Sequence, residues 1–142
     1  MEFIIQNALD NAPSSAEQNM DGGHANIKVI GIGGGGGNGT TWLFKKGVQG
    51  AEVIALNTDK QHLDMMSADK KILIGRDLTR GLGAGGEPGR GTEAAKESAS
   101  ELKDSLKGSD MVFVCAGMGG GTGTGGAPIV AQVAKDCGSI VI

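Results

Sequence analysis

The stretch Met111-Val112-Phe113-Val114-Cys115-Ala116-Gly117-Met118-Gly119-Gly120-Gly121-Thr122-Gly123-Thr124-Gly125 decides the fold. Its first six residues are apolar without a break and rich in β-branched and aromatic types. That pattern predicts a strand buried on both faces, as in a parallel sheet. Beyond the glycines, Ala127 to Lys135 predicts a helix with Ile129, Val130 and Val133 on its apolar side. A glycine-rich bend between a buried strand and a helix suits phosphate. Backbone N–H groups lie bare of Cβ atoms, and the helix N-terminus adds positive potential. Thr122 and Thr124 add hydroxyl donors. Each hydrogen bond to a charged oxygen contributes about 1.5–3 kcal/mol, so a handful would hold a triphosphate without a lysine.

Working outward, the same unit recurs. Ile27 to Ile32 predicts a first strand, and Asn38 to Lys46 a short helix closed by Gly47. Ala51 to Leu56 predicts a second strand, Asp59 to Met66 a short helix or turn, and Lys71 to Ile74 a third strand. Pro88 is a candidate first position of a long helix running to about Lys107, with Ala95, Ala99, Leu102 and Leu106 on one face and Gly108 as its stop. Ser139 to Ile142 begins a fifth strand. Strands alternating with helices predict an α/β fold: a doubly wound, mostly parallel sheet with helices on both faces. The sequence ends inside that fifth apolar run, so a domain truncated after the fifth strand is expected. Residues 1–26, rich in Asn, Ser, Asp and Gly, are expected to form a flexible leader, and 27–142 the nucleotide-binding part.

Glycine is concentrated in three stretches, Gly31–Gly39, Gly81–Gly91 and Gly117–Gly126, which hold seven, six and seven of the 27 glycines. All three follow strands, so a parallel sheet places them on one edge, where ligands of this architecture bind. The first stretch contains a G-x-G-x-x-G at Gly31, Gly33 and Gly36. That leaves open a dinucleotide-binding oxidoreductase, with an acid about 20 residues on to hold the ribose. Glu52 has that spacing but lies near the start of the second strand, and Asn57-Thr58-Asp59 stands at its end. No Gly-Lys-Ser/Thr follows, so the Walker lysine is absent. The middle stretch, Gly81-Leu82-Gly83-Ala84-Gly85-Gly86-Glu87-Pro88, is placed to close over a terminal phosphate, with Arg76, Arg80 and Arg90 around it and Glu87 expected to point away.

Composition limits the other classes. Net charge is −3, from 13 Lys and Arg against 16 Asp and Glu, and no basic stripe marks a nucleic-acid surface. Aromatic residues make up only 3%, too few for the stacking platforms of single-strand binding. Cys115 and Cys137 have no metal-ligand spacing, and Cys115 is expected to be a buried free thiol in a reduced compartment. No signal peptide or run long enough to insert in a membrane is present. His24 and His62 are read as neither ligand nor base, and Met65, Met66 and Trp42 are expected to pack.

The third loop, with Asn57-Thr58-Asp59 and Gly81-Leu82-Gly83-Ala84-Gly85, resembles the FtsZ branch of the tubulin/FtsZ family over about Ile27 to Ile142. Lys70-Lys71-Ile72-Leu73-Ile74-Gly75, with Gly86, has an archaeal flavour. The resemblance implies a GTP/GDP-binding GTPase that forms head-to-tail filaments of itself and builds a cytoplasmic division ring at mid-cell, with other division proteins as partners and Mg2+ at the phosphates. By position, Gly34, Gly35, Gly36, Gly37 and Asn38 match the family's first phosphate loop. Asn57 and Asp59 match the loop after the second strand, and Ala84, Gly85 and Gly86 the loop that senses the γ-phosphate. Gly119, Gly120, Gly121, Thr122, Gly123 and Thr124 match the signature loop. Glu87 departs from the family's usual Asn before Pro88. The resemblance further implies hydrolysis completed by acidic residues of the next subunit, from a loop after a long central helix that this sequence does not reach. No catalytic residue or metal ligand is therefore assigned within it. A nucleotide-binding filament protein that does not hydrolyse remains open.

Overall fold

A computed structural model of the chain describes residues 23–142. The expected leader falls almost wholly outside the described residues. Five strands form one parallel sheet: β1 (Ile27–Ile32), β2 (Ala51–Asn57), β3 (Lys70–Leu73), β4 (Met111–Ala116) and β5 (Ile140–Val141). Their order across the sheet is β3-β2-β1-β4-β5, with β1 paired on one side to β2 and on the other to β4. The chain runs outward from β1 to β3, then returns to place β4 beside β1. The order therefore reverses between β1 and β4, and a crevice opens above their carboxyl ends.

Six helices connect the strands: α1 (Gly33–Lys46), α2 (Lys60–Met65), α3 (Arg76–Thr79), α4 (Pro88–Glu97), α5 (Ala99–Leu106) and α6 (Gly121–Asp136). The main core joins Ile30, Ile32, Ile54, Leu56, Ile72 and Val112 of the sheet to Ala95, Leu102 and Leu106 of α4 and α5 and to Val130 and Ala134 of α6. A smaller cluster of Ala55, Leu63 and Met66 lies beneath α2. Right-handed crossovers account for this division, since reversing the direction of travel moves the connecting helix to the opposite face.

Several sequence-based expectations change. The first and third glycine stretches are largely helical: α1 begins at Gly33 rather than Asn38, and α6 at Gly121 rather than Ala127, with Pro128 inside it. Glycine is a poor helix former, so tertiary packing overrides propensity here. A methyl on Gly36 would overlap the Cys115 carbonyl oxygen, and one on Gly125 the Pro88 carbonyl oxygen. Only glycine lets these backbones approach.

The long helix from Pro88 is broken at Ser98 into α4 and α5. Buried Ser98 accepts a hydrogen bond at Oγ from the Gly75 N–H, 3.0 Å. α3 carries no periodic signal and was not expected. β4 is less buried than expected: only Val112 is fully buried, and Met111, Phe113, Val114 and Ala116 are half-buried. Val114 and Ala116 pack against the main core with buried Val112, whereas Cys115 is exposed. On the Cys115 side the start of α1 rests against the end of β4, and an apolar groove between the two is lined by Trp42, Leu43 and Cys115. Trp42 and Met65 are exposed rather than packed, while Met66 is buried.

Candidate functional site

β1 and β4 lie side by side with Ile32 opposite Ala116, so the turns that follow them start at the same level. The turn after β1 is short: α1 begins at Gly33, with Ile32 as its N-cap. The turn after β4 runs through Gly117 to Gly120, and α6 begins at Gly121. Neither helix has a side chain capping its first N–H groups, and neither has an acid in its first turn. Two sets of unpaired helix N–H donors therefore open at one crevice with no nearby carboxylate of their own.

Backbone contacts lock the two turns together. A methyl on Gly35 would lie 3.0 Å from Gly117 Cα, and one on Gly33 would lie 2.9 Å from the Gly123 nitrogen. Within the second turn, the Gly119 N–H donates to Thr124 Oγ1, 3.0 Å. Thr122 is buried at the start of α6, its Oγ1 2.7 Å from Thr58 Oγ1 at the end of β2.

The middle loop is tied to the end of β2. The Gly83 N–H donates to the Thr58 carbonyl (3.1 Å) and the Lys60 N–H to the Gly81 carbonyl (3.0 Å), and Asp59 and Leu82 form an antiparallel bridge. Ala84, buried, packs beneath the start of α6: a methyl on Gly121 would lie 2.9 Å from its Cβ. Gly85 and Gly86 stand exposed, and a methyl on Gly86 would meet nothing within 4 Å. The loop thus reaches the crevice through Ala84. Arg76 turns away, donating to the Leu73 carbonyl and lying 3.9 Å from Glu101, and Arg90 donates to the Leu78 carbonyl.

Gly34, Gly35, Gly36, Gly119, Gly120, Gly121, Thr122, Gly123 and Thr124 are brought together by the two turns. Gly37 follows them in α1, where a side chain would run into Met66 beneath α2. Asn57 and Asn38 join the group through a residue that sequence reasoning set aside. His62 Nε2 lies 3.3 Å from Asn38 Oδ1, and His62 Nδ1 lies 3.5 Å from Asn57 Nδ2. A methyl on Gly34 would lie 3.0 Å from the imidazole Cε1. Asp59 caps α2 by accepting from the His62 N–H, 3.0 Å, and this turns the ring toward α1. An Asp before a short helix reads as an N-cap in the sequence, but it says nothing of where the ring of the third residue on faces.

Glu52, the acid at dinucleotide spacing, is an ion-pair partner of Lys28 near the amino ends of β1 and β2, at the opposite edge of the sheet from the crevice. Among the described residues no group of three His, Cys, Asp or Glu could hold a metal ion, and no helix is long and apolar enough to cross a membrane.

A parallel α/β domain with two glycine-built helix N-termini at its switch point defines the class as a phosphate-cradling, nucleotide-type domain. Comparison with known proteins narrows it. Residues 26–142 match the Tubulin/FtsZ family, GTPase domain, and the chain belongs to that family. It is 54% identical over 139 residues to Cell division protein FtsZ 2 of Methanocaldococcus jannaschii, which spans 98% of this chain and 37% of that protein. It is 49% identical to Cell division protein FtsZ 2 of Halobacterium salinarum, over all of this chain and 38% of that protein. Among solved structures, an empty FtsZ dimer of M. jannaschii superposes with a TM-score of 0.80 at 50% identity, covering 94% of this chain and 37% of that one. A GTPgS-bound protofilament of CetZ2 from Haloferax volcanii superposes at 0.72 with 29% identity, covering 82% of this chain and 38% of that one. The chain spans little more than a third of the length of these relatives.

Proposed function

We propose that this chain is the phosphate-binding part of a GTP-binding and GTP-hydrolysing protein that polymerises head to tail and acts in cell division at a cytoplasmic mid-cell ring. The observation that carries the reading is the meeting of two uncapped, acid-free helix N-termini, α1 and α6, at the β1/β4 crevice. Such ends bind anionic oxygens through N–H groups and dipole together. Gly34, Gly35, Gly36 and Asn38 then take one side of the phosphates, Gly119 to Thr124 the other, and Asn57, Asp59 and Ala84 the wall between. Gly37 supports α1 from behind, and Gly85 and Gly86 form the outer rim.

The names of the archaeal relatives, with a dimer and a protofilament among the similar structures, support self-association and a division role. Hydrolysis in this reading is completed by acidic residues of the next subunit, and this segment supplies positioning and charge. A magnesium ion fits as a partner of the phosphates. Asp59 is the carboxylate beside the middle loop, and magnesium is commonly held by one or two carboxylates with substrate oxygens and water. Partners beyond the protein itself are expected to be other division proteins, with no nucleic acid among them.

A dinucleotide oxidoreductase is disfavoured by the engagement of Glu52 with Lys28 at the far edge of the sheet. Equilibrium titration of the full-length protein separates the readings. GTP is expected to bind with NADH unable to compete, and preferential binding of NADH would refute the GTPase assignment. A phosphate-release rate that rises faster than linearly with protein concentration is expected for a site completed at a junction.

A further inference from the structure

Thr58 lies at the carboxyl end of β2 and is wholly buried. Its carbonyl accepts from the Gly83 N–H (3.1 Å), and Thr79 Oγ1, 3.2 Å away, shares its one hydrogen between this carbonyl and that of Gly75. Among the described residues the Thr58 hydroxyl has one partner, Thr122 Oγ1 at 2.7 Å. Thr122 is the second helical residue of α6, at the uncapped end that opens on the crevice.

Two hydroxyls share one hydrogen bond, so one hydrogen lies between the oxygens and the other points elsewhere. If Thr122 donated, the Thr58 hydrogen would be sealed in protein with no acceptor, the costly arrangement for a buried donor. If Thr58 donates, every buried group is paired, and the Thr122 hydrogen is left free at the helix end. A hydroxyl that accepts one hydrogen bond also becomes a stronger donor in the next.

We propose that Thr58 is a positioning residue for phosphate binding: its buried hydroxyl donates to Thr122 Oγ1, fixes that side chain, and aims the Thr122 hydrogen at a phosphate oxygen of the bound nucleotide. This rests on the nucleotide reading above. Thr58 itself touches no ligand and acts only through Thr122. The link also runs outward, because the Thr58 carbonyl holds Gly83 of the middle loop. One residue therefore ties that loop to the start of α6.

The test is a double-mutant cycle on the full-length protein, read as GTP affinity by equilibrium titration, with thermal melting to verify folding. Thr122→Val is expected to weaken binding about tenfold or more, the loss of a hydrogen bond to a charged group. Thr58→Val, equal in shape but without the hydroxyl, is expected to weaken it roughly three- to tenfold through the lost alignment of Thr122. Thr58→Ser restores most of the affinity. In the Thr122→Val background, Thr58→Val is expected to change affinity by less than about twofold, because its route to the ligand is gone. Thr58→Ala is the second hydroxyl deletion should the valine variant fold poorly, with the same expected pattern. Equal losses from Thr58→Val in both backgrounds would mean it acts through general packing, and the proposal fails. Unchanged affinity in Thr58→Val overturns it as well. A parent protein without measurable GTP affinity overturns the nucleotide reading itself, and this proposal with it, a result distinct from the other two.

Discussion

Gly35 and Gly117 meet face to face across the β1/β4 crevice: a methyl on Gly35 would lie 3.0 Å from Gly117 Cα, and one on Gly117 would lie 3.1 Å from Gly35 Cα. The start of α1 and the turn before α6 are therefore held at backbone contact. This closeness places two sets of helix N–H donors around one small volume, and it explains why glycine occupies so much of both turns.

The same helix offers opposite responses to one substitution. Gly36→Ala drives a methyl into the Cys115 carbonyl oxygen, so α1 must lift from β4. A loss of about 1–3 kcal/mol is expected, as for overpacking elsewhere. Gly39, in the same helix, has nothing within 4 Å of a new methyl. Gly39→Ala is expected to stabilise by up to about 1 kcal/mol, since alanine is the better helix former and restricts the unfolded chain. Urea or thermal unfolding of the two variants checks the sign. A Gly36→Ala protein as stable as its parent would show that the close approach carries no weight.

His62 clamps Asn38 of α1 to Asn57 of β2. His62→Leu keeps bulk against Gly34 but removes both ring nitrogens. GTP affinity is expected to fall roughly threefold to tenfold, the scale of one or two modest hydrogen bonds, with stability little changed. Isothermal titration of parent and variant measures the difference. Equal affinities would remove His62 from the site.

Cys115 is exposed in the groove beside α1, yet desolvation by the surrounding chain raises its thiol above the ordinary value of 9.0. The thiolate is the reactive form, so a raised pKa means less of it at neutral pH. Alkylation of Cys115 by iodoacetamide, followed by peptide mass spectrometry, is expected to be slow at pH 7.5 and to keep climbing beyond pH 9. A rate that levels off below pH 9 would contradict this.

The spans of β1 and β4 were legible in the sequence because unbroken runs of β-branched residues leave few alternatives. β2 and β3 shifted by a residue. The glycine stretches were legible as bends at one edge of the sheet but not as helices. Gly33 to Gly37 are poor helix formers, and what holds them helical is contact with Cys115, Gly117 and Gly123, which lie far along the chain. The exposure of Cys115 was illegible for a related reason: a cysteine in an apolar run looks the same whether or not another layer covers it. Ser98 reads as an ordinary helix residue until Gly75, 23 positions away, donates to it. His62 was missed because a lone histidine carries no signal without its partners, and Asn38 and Asn57 come from two other elements. The convergence of the loops was legible, because a parallel sheet puts every strand-to-helix bend on one edge.

Backbone amide NMR of the protein during GTP titration tests the central claim most directly. The amides of residues 33–38 and 119–124 are expected to shift together, along one saturation curve, while those at the opposite edge, Lys28 and Glu52 among them, stay still. GTP that perturbs one of the two turns without the other, or shifts neither, would contradict the shared cradle.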